Sequence, residues 1–268
     1  MESHFSFPDY DTFRYHHFYD DSPLPSDFSR HCHDFFELIF VEQGTGKYIV
    51  EGTQYYMEPG TLLLLRPRTF HYVEINAGSP YERHVFHFSI HALASEAMHL
   101  PDRFNQETPS EGDFYTSDGL PPSVADLIRN FESVLTFPNE EGVLLARLRI
   151  SELLLLLSGV RSHPGDRLDD RLGARVLHYL NDNLREQIRL DELAKHFFVS
   201  KYYLCRAFKE QNGISIHGYL NRKRIILAKQ LIDGGETAAR AAYRVGFGDY
   251  SSFFRAYKKM IGRAPSEK

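Results

Sequence analysis

Two stretches decide the reading. The first is Ser200-Lys201-Tyr202-Tyr203-Leu204-Cys205-Arg206-Ala207-Phe208-Lys209. The second, 49 residues on, is Asp249-Tyr250-Ser251-Ser252-Phe253-Phe254-Arg255-Ala256-Tyr257-Lys258. Each opens with a residue suited to cap a helix N-terminus, Ser200 or Asp249. Each has an apolar residue four places on, Leu204 or Phe253, then Arg-Ala-aromatic-Lys, and each runs to a glycine stop, Gly213 or Gly262. A short helical segment precedes each copy, Asp191–Phe197 in the first and Thr237–Tyr243 in the second, and Val245-Gly246-Phe247-Gly248 forms the second turn. The small side chains of Ala194 and Ala242 let two helices cross closely. Helix, tight turn, cap and basic second helix make a helix-turn-helix pattern, here present as an internal repeat.

Charge supports this placement. The 268-residue chain has a net charge of −5, but the segment from Asp166 to Lys268 carries +8 and the remainder −13. A basic third on an acidic body points to a nucleic-acid module joined to something else. Two domains that merely differ in charge are the plainer alternative. With 42% apolar and 25% charged residues, the composition is that of a globular protein. The longest apolar run, Leu153–Leu157, is far short of the roughly 20 residues of a membrane span. Met1-Glu2-Ser3-His4-Phe5 lacks the basic start and apolar core of a signal peptide, and only Cys32 and Cys205 are present. A reducing cytoplasm is therefore expected, with no membrane partner.

Working outward, residues 1–100 hold ten of the 14 histidines. Strand-like runs at Phe35–Val41, Lys47–Val50, Gln54–Met57, Thr61–Leu65 and Arg83–Ile90 alternate with turns such as Gly44-Thr45-Gly46 and Glu58-Pro59-Gly60. This spacing predicts an all-β sandwich or barrel. Residues 101–120 read as a loop. Beyond it Val124, Leu127, Ile128, Phe131 and Leu135 fall at helical spacing, and Phe137-Pro138-Asn139 breaks the chain. A second helix over 140–158 has more leucines than one neighbour can cover, so residues 101–160 are read as a dimerisation region, with plain domain core as the alternative. Residues 161–169 form a linker and 170–268 the helical DNA-binding region.

The C-terminal repeat resembles the DNA-binding region of the AraC/XylS transcriptional regulators. Leu193-Ala194, Ser200, Leu204, Arg206, Phe208-Lys209, Gly213, Tyr219-Leu220, Arg224, Ala228, Leu231, Val245-Gly246-Phe247, Ser252-Phe253, Lys258-Lys259, Gly262 and Pro265-Ser266 carry the likeness. It implies two helix-turn-helix subdomains joined by a helix over about 215–232, each placing its second helix in a major groove. It also implies RNA polymerase as a partner, and activation as the commoner mode. Alanines at 238 and 241, where the family usually has isoleucines, imply a thinner second core leaning on Phe247, Phe253 and Tyr257.

Two recognition helices on one unit should meet groove faces about 34 Å apart. The expected DNA-facing residues are Lys201, Tyr202, Tyr203, Arg206 and Lys209, then Tyr250, Ser251, Ser252, Arg255 and Lys258. Arg206 and Arg255 are candidates for guanine edges, and the lysines for phosphate. Arg224, in the run Arg222-Lys223-Arg224, is a candidate for phosphate or for an internal carboxylate.

His31-Cys32-His33, Glu37, Gly44, Gly60, Pro67 and His71 are similar to the motifs of cupins, small jelly-roll barrels that commonly serve AraC regulators as effector domains. Strand parity puts His31, His33, Phe35, Glu37, Ile39 and Val41 on one face. Two histidines, a carboxylate and the distant His71 have the donor types for a divalent metal. The family likeness favours a polar pocket for an organic effector, so no metal and no cofactor are expected. The plainest alternative is that His33 and Glu37 only satisfy each other. Arg14-Tyr15-His16-His17 are read as an N-terminal arm able to cover the pocket, which makes Arg14 a pocket residue with His31, His33, Glu37 and His71. A small polar molecule such as a carbohydrate suits such a mouth, with Tyr and Phe as stacking faces because tryptophan is absent.

No phosphate-binding loop, G-x-S-x-G elbow, H-E-x-x-H or dinucleotide fingerprint occurs. The expected protein is of class α+β: a cupin-like β-barrel with a helical dimerisation pair, then an all-α domain of two helix-turn-helix subdomains. Its expected function is a ligand-responsive regulator that is not an enzyme and binds double-stranded promoter DNA as a homodimer. The alternative is a metal-dependent cupin enzyme, or a metal sensor, fused to a DNA-binding domain.

Overall fold

The structure is a computed structural model that describes residues 3–6, 12–23, 28, 30–67, 69–76, 78–103, 112–137, 139–167 and 171–266. Part of the expected loop (104–111), Pro138 of the helix break and 168–169 of the linker lie outside the described residues. The chain divides into two compact units, Met1–Asp166 and Arg167–Lys268.

The first unit is built on two antiparallel sheets. One contains β1 (Ser3–Ser6), β2 (Phe13–Asp20), β3 (Phe36–Gln43), β6 (Leu62–Leu65), β8 (Tyr81–Phe88) and β9 (Asp113–Tyr115), in the order β1-β2-β8-β3-β6-β9. In the other, β4 (Gly46–Val50) lies between β5 (Thr53–Met57) and β7 (His71–Ile75). Alternation along β3 assigns its two faces. Ile39 and Val41 join Tyr48, Val50, Met57, Val73, Tyr81 and Val85 in the core between the sheets. Phe36, Leu38 and Phe40 belong to a second core with the helices. Strand β6 reads Leu-Leu-Leu-Leu because both of its faces are buried.

The helices on that outer face are α1 (Leu100–Arg103), α2 (Pro122–Arg129) and α3 (Asn139–Leu157). Val124, Ile128, Ala146, Ile150, Leu153, Leu154 and Leu157 enter the core, whereas Leu144, Leu148 and Leu155 stay 58%, 50% and 59% exposed. Helix α3 thus buries one face and leaves a leucine stripe on another.

The expected N-terminal arm is a strand. Arg14, Tyr15, His16 and His17 all lie in β2, paired with β1 on one side and β8 on the other. Tyr15 is buried against Phe86 and Phe131, with ring centroids 4.9 and 4.7 Å away. Sequence reading missed this strand because its dense histidines mask the alternation. Strand β9, placed by the sequence inside a loop, extends the larger sheet beyond residue 100.

The second unit contains α4 (Leu172–Asp182), α5 (Leu190–His196), α6 (Lys201–Asn212), α7 (Ile216–Asp233), α8 (Ala238–Arg244) and α9 (Tyr250–Ile261). The caps are those the sequence predicts. Ser200 Oγ accepts from the Tyr203 N–H, and an Asp249 carboxylate oxygen accepts from the Ser252 N–H. Gly213 and Gly262 take left-handed conformations, at φ 68° and 85°, and close α6 and α9. Val176, Leu180, Leu193, Leu204, Phe208 and Tyr219 are buried in the first subdomain. In the second, Ala228, Ala241, Ala242, Val245, Phe247, Phe253 and Tyr257 form a core of alanines around three aromatic rings.

Candidate functional site

The barrel interior is organised by one carboxylate. Glu37 points inward from β3 and is only 6% exposed. Its Oε2 lies 2.8 Å from His33 Nε2 and 2.9 Å from His71 Nε2, and its Oε1 lies 3.3 Å from His87 Nε2. His31 precedes the strand and forms an isolated bridge with His71. Each backbone N–H donates to the other's carbonyl, at 3.1 and 3.0 Å, and the ring centroids are 4.4 Å apart. Parity along one strand therefore holds for Glu37, Ile39 and Val41 but not for His31 and His33, which lie before β3. Burial alone would raise the Glu37 carboxyl, but the charge of His71 and the contacts with His33 and His87 hold it well below the usual range. The same carboxylate outweighs burial at His71 and raises that imidazole.

The structure brings four of the five expected pocket residues together and leaves one out. Donor atoms of His31, His33, Glu37 and His71 all lie within 4.8 Å of one another. Arg14 does not join them; its guanidinium lies over the Phe35 ring at 4.9 Å. A cavity of about 200 Å³ opens beside Glu37, His31 and His71, with Phe18, Tyr72 and Val73 among its walls.

Four further polar residues in that wall, Tyr48, Tyr81, Arg83 and His87, escaped the sequence reading. Tyr81, Arg83, Val85 and His87 alternate along β8, so strand parity there would have found three of the four. The hydroxyls of Tyr48 and Tyr81 are hydrogen-bonded to each other. Burial pushes the Tyr81 hydroxyl up to about 12 and Tyr48 well above its usual range, so both stay protonated; one donates to the other, and the second proton is left for a ligand. Arg83 lies 4.4 Å from the Tyr81 ring centroid and donates to Asp20 at 2.6 Å.

The opposite face of the same strands carries a second polar cluster, around a cleft of about 390 Å³. His17 contacts Glu82 and Glu132, each at 2.8 Å, and stacks on His84 at 4.2 Å. Arg129 holds Glu42 through two bonds, of 2.7 and 3.0 Å. Burial, followed by the charge of His17, pushes His84 down to about 4. This network ties the sheet to α2 and the turn after it.

In the second unit, α6 and α9 present most of the expected DNA-facing residues to solvent. Tyr202 and Tyr203 are 75% and 47% exposed, and Tyr250 38%. Lys209, Ser251, Arg255 and Lys258 are exposed, and Ser252 is half-buried. Lys201 pairs with Asp191 at 3.1 Å, and Arg206 lies 3.6 Å from Glu210. Exposed pairs of this kind are weak and readily exchanged for phosphate.

Arg224 does not belong with that surface. It is buried on α7 and donates to the carbonyls of Leu184 at 2.9 Å and Glu186 at 2.5 Å. Burial lowers its guanidinium from the usual value. Its role is to tie the loop after α4 to α7, a use of an arginine that the local sequence Arg222-Lys223-Arg224 does not reveal.

Comparison with known proteins accords with both halves. Residues 21–158 match the AraC-like ligand binding domain and residues 193–268 match a helix-turn-helix domain. The HTH-type transcriptional activator RhaS of Citrobacter koseri is 27% identical over 256 residues, covering 90% of this chain and 87% of that protein. RhaS of Escherichia coli is 28% identical over 259 residues, with the same coverage. Among solved structures, ToxT from Vibrio cholerae aligns over 95% of this chain and 97% of its own at 16% identity, with a TM-score of 0.39. With a ligand-binding barrel and a capped helix-turn-helix pair in this order, the chain belongs to the AraC family of DNA-binding transcriptional regulators.

Proposed function

We propose that this regulator is an activator that senses a small polar molecule, a carbohydrate being the first class to test. The observation that carries the reading is the barrel cavity beside Glu37, walled by protonated tyrosine hydroxyls and aromatic faces, in a chain whose other unit exposes two basic recognition helices. Hydroxyl donors, a carboxylate acceptor and aromatic faces suit a polyol. The resemblance to RhaS, named as a transcriptional activator, supports activation.

The chain works as a homodimer in the cytoplasm, paired through the leucine stripe of α3. RNA polymerase is its partner at the promoter. No helix among the described residues is long and apolar enough to cross a membrane. Lys201, Tyr202, Tyr203, Arg206, Lys209, Tyr250, Ser251, Ser252, Arg255 and Lys258 contact DNA. The effector shifts the population of DNA-binding geometries, because it binds one arrangement more tightly than the other.

The test selects bound duplexes from a random pool with the full-length protein, then measures affinity and half-site spacing with and without candidate sugars. Half-sites about 34 Å apart, whose occupancy or spacing changes with the sugar, support the reading. A sugar that binds the barrel and leaves both unchanged overturns the mechanism.

A further inference from the structure

The two recognition helices are capped alike and then diverge where bases are read. Ser200 and Asp249 are the caps, so Lys201, Tyr202 and Tyr203 form the first turn of α6, and Tyr250, Ser251 and Ser252 form that of α9. In a helix-turn-helix unit this N-terminal part of the second helix meets base edges. At about 100° per residue, Arg206 projects between Tyr202 and Tyr203, and Arg255 between Ser251 and Ser252. Each copy thus offers one arginine with a side chain on either flank. The flanks are aromatic in the first copy and short hydroxyls in the second.

Both tyrosine rings stand exposed, so the protein itself gives them little apolar cover. On DNA they would flank the base pair that Arg206 reads. The apolar group displayed on major-groove base edges is the C5-methyl of thymine, and apolar side chains recognise it by contact. A tyrosine ring has the reach and the apolar surface for that contact, whereas a serine hydroxyl bonds to any base or to phosphate. Charge diverges in the same sense. Glu210 lies 3.6 Å from Arg206, and Lys259 holds the equivalent place after Arg255. Helix α9 is therefore the more basic of the two and leans more on phosphate, and α6 leans more on the shape of the bases.

We propose that Tyr202 and Tyr203 read thymine methyl groups beside the base pair contacted by Arg206, a contact that Ser251 and Ser252 are too short to make. The two half-sites are then told apart by chemistry: one is recognised through methyl groups, the other through hydrogen bonds and charge. The proposal rests on the reading of α6 and α9 as DNA-contacting helices and assigns what the tyrosines contribute there. The competing use of an exposed tyrosine, a hydroxyl bonded to phosphate, carries no sequence information.

The test takes the tightest duplex that the full-length protein selects from a random pool and replaces its thymines with deoxyuridine, one at a time. Each replacement removes a methyl group and leaves the hydrogen-bonding edges intact. Loss of one contacted methyl should weaken binding about 4-fold. The sensitive thymines are expected in one half-site, the one whose preference Arg206→Ala relaxes. Tyr202→Ser and Tyr203→Ser should each abolish the difference between thymine and deoxyuridine at a sensitive position. Tyr202→Phe and Tyr203→Phe keep the ring and should keep that difference. Both tyrosines are exposed, so the melting temperature of every variant should match the wild type, which separates a lost contact from a lost fold. Methyl removal without effect at every thymine, a methyl effect that survives both serine variants, or sensitivity confined to the half-site of Arg255 overturns the proposal. Failure to enrich any duplex overturns the DNA-contact reading as well, so the two failures are distinguishable.

Discussion

The two helix-turn-helix copies share one backbone and solve it with different residues. In the first turn, the Phe197 N–H donates to the Leu193 carbonyl, Phe198 to Lys195 and Val199 to Ala194. In the second, Val245 donates to Ala241, Gly246 to Tyr243 and Phe247 to Ala242, the same three bonds 48 residues on. The repeat reaches its offset of 49 only afterwards, through the extra residue Gly248 before the Asp249 cap. The left-handed position of the turn is thus Phe198 in one copy, at φ 56°, and Gly246 in the other, at φ 93°. Phe198 is 96% exposed, so no packing compensates for its conformation. Gly246 is enclosed: a Cβ there would sit 2.6 Å from the Arg185 carbonyl oxygen and 3.2 Å from the Arg224 guanidinium carbon. The same turn is tolerant in one copy and fully constrained in the other.

Gly246→Ala should sharpen that contrast most. Left-handed strain combines with a backbone clash, and the expected loss is about 3 kcal/mol in urea-induced unfolding. A loss under about 1 kcal/mol would mean that the second turn is as open as the first. Arg224→Met tests the other side of the same contact. It leaves the Leu184 and Glu186 carbonyls without their donor and should cost about 2 kcal/mol, by the same measurement.

Arg206→Ala and Arg255→Ala compare the two copies on DNA. Each should cost about 1–3 kcal/mol of binding and relax preference at one base pair, as read by titrating single-substituted operators. Uniform weakening over all sequences would reassign that arginine to phosphate. The smallest effect is expected at Phe198→Asn. Asparagine tolerates the left-handed region, and the substitution should raise stability by about 0.5–1 kcal/mol. A loss of stability, or of DNA binding, would show that the exposed ring makes a contact after all.

Much of this was legible in the sequence, for physical reasons that differ by region. The caps at Ser200 and Asp249 and the stops at Gly213 and Gly262 are local devices, and a local reading finds them. The turn alignment was not legible, because a fixed offset of 49 pairs Phe198 with Phe247 and hides its match to Gly246. In the barrel, the convergence of His31, His33, Glu37 and His71 follows from motif spacing. His87 could not be reached that way, since it enters through the pairing of β8 with β3, where Glu37 and His87 are direct partners. Arg224 was left between phosphate and an internal carboxylate, because nothing within its own helix announces the carbonyls of Leu184 and Glu186. Long-range pairing and backbone acceptors are the two things a linear pattern conceals.

Strand β3 carries a consequence for anyone who would re-engineer the sensor. Its odd-numbered positions from Glu37 to Val41 line the cavity side, and its even-numbered positions from Phe36 to Phe40 are packed beneath the helices. Of these, Glu37 and Ile39 line the cavity itself, so ligand preference can be retuned by substitution at 37 and 39 while the foundation is left alone. A one-residue insertion in the same strand would exchange the two sets, sending phenylalanines into the cavity and the carboxylate into the hydrophobic core. Libraries for new effector specificity should vary residue identity on this strand and never its length.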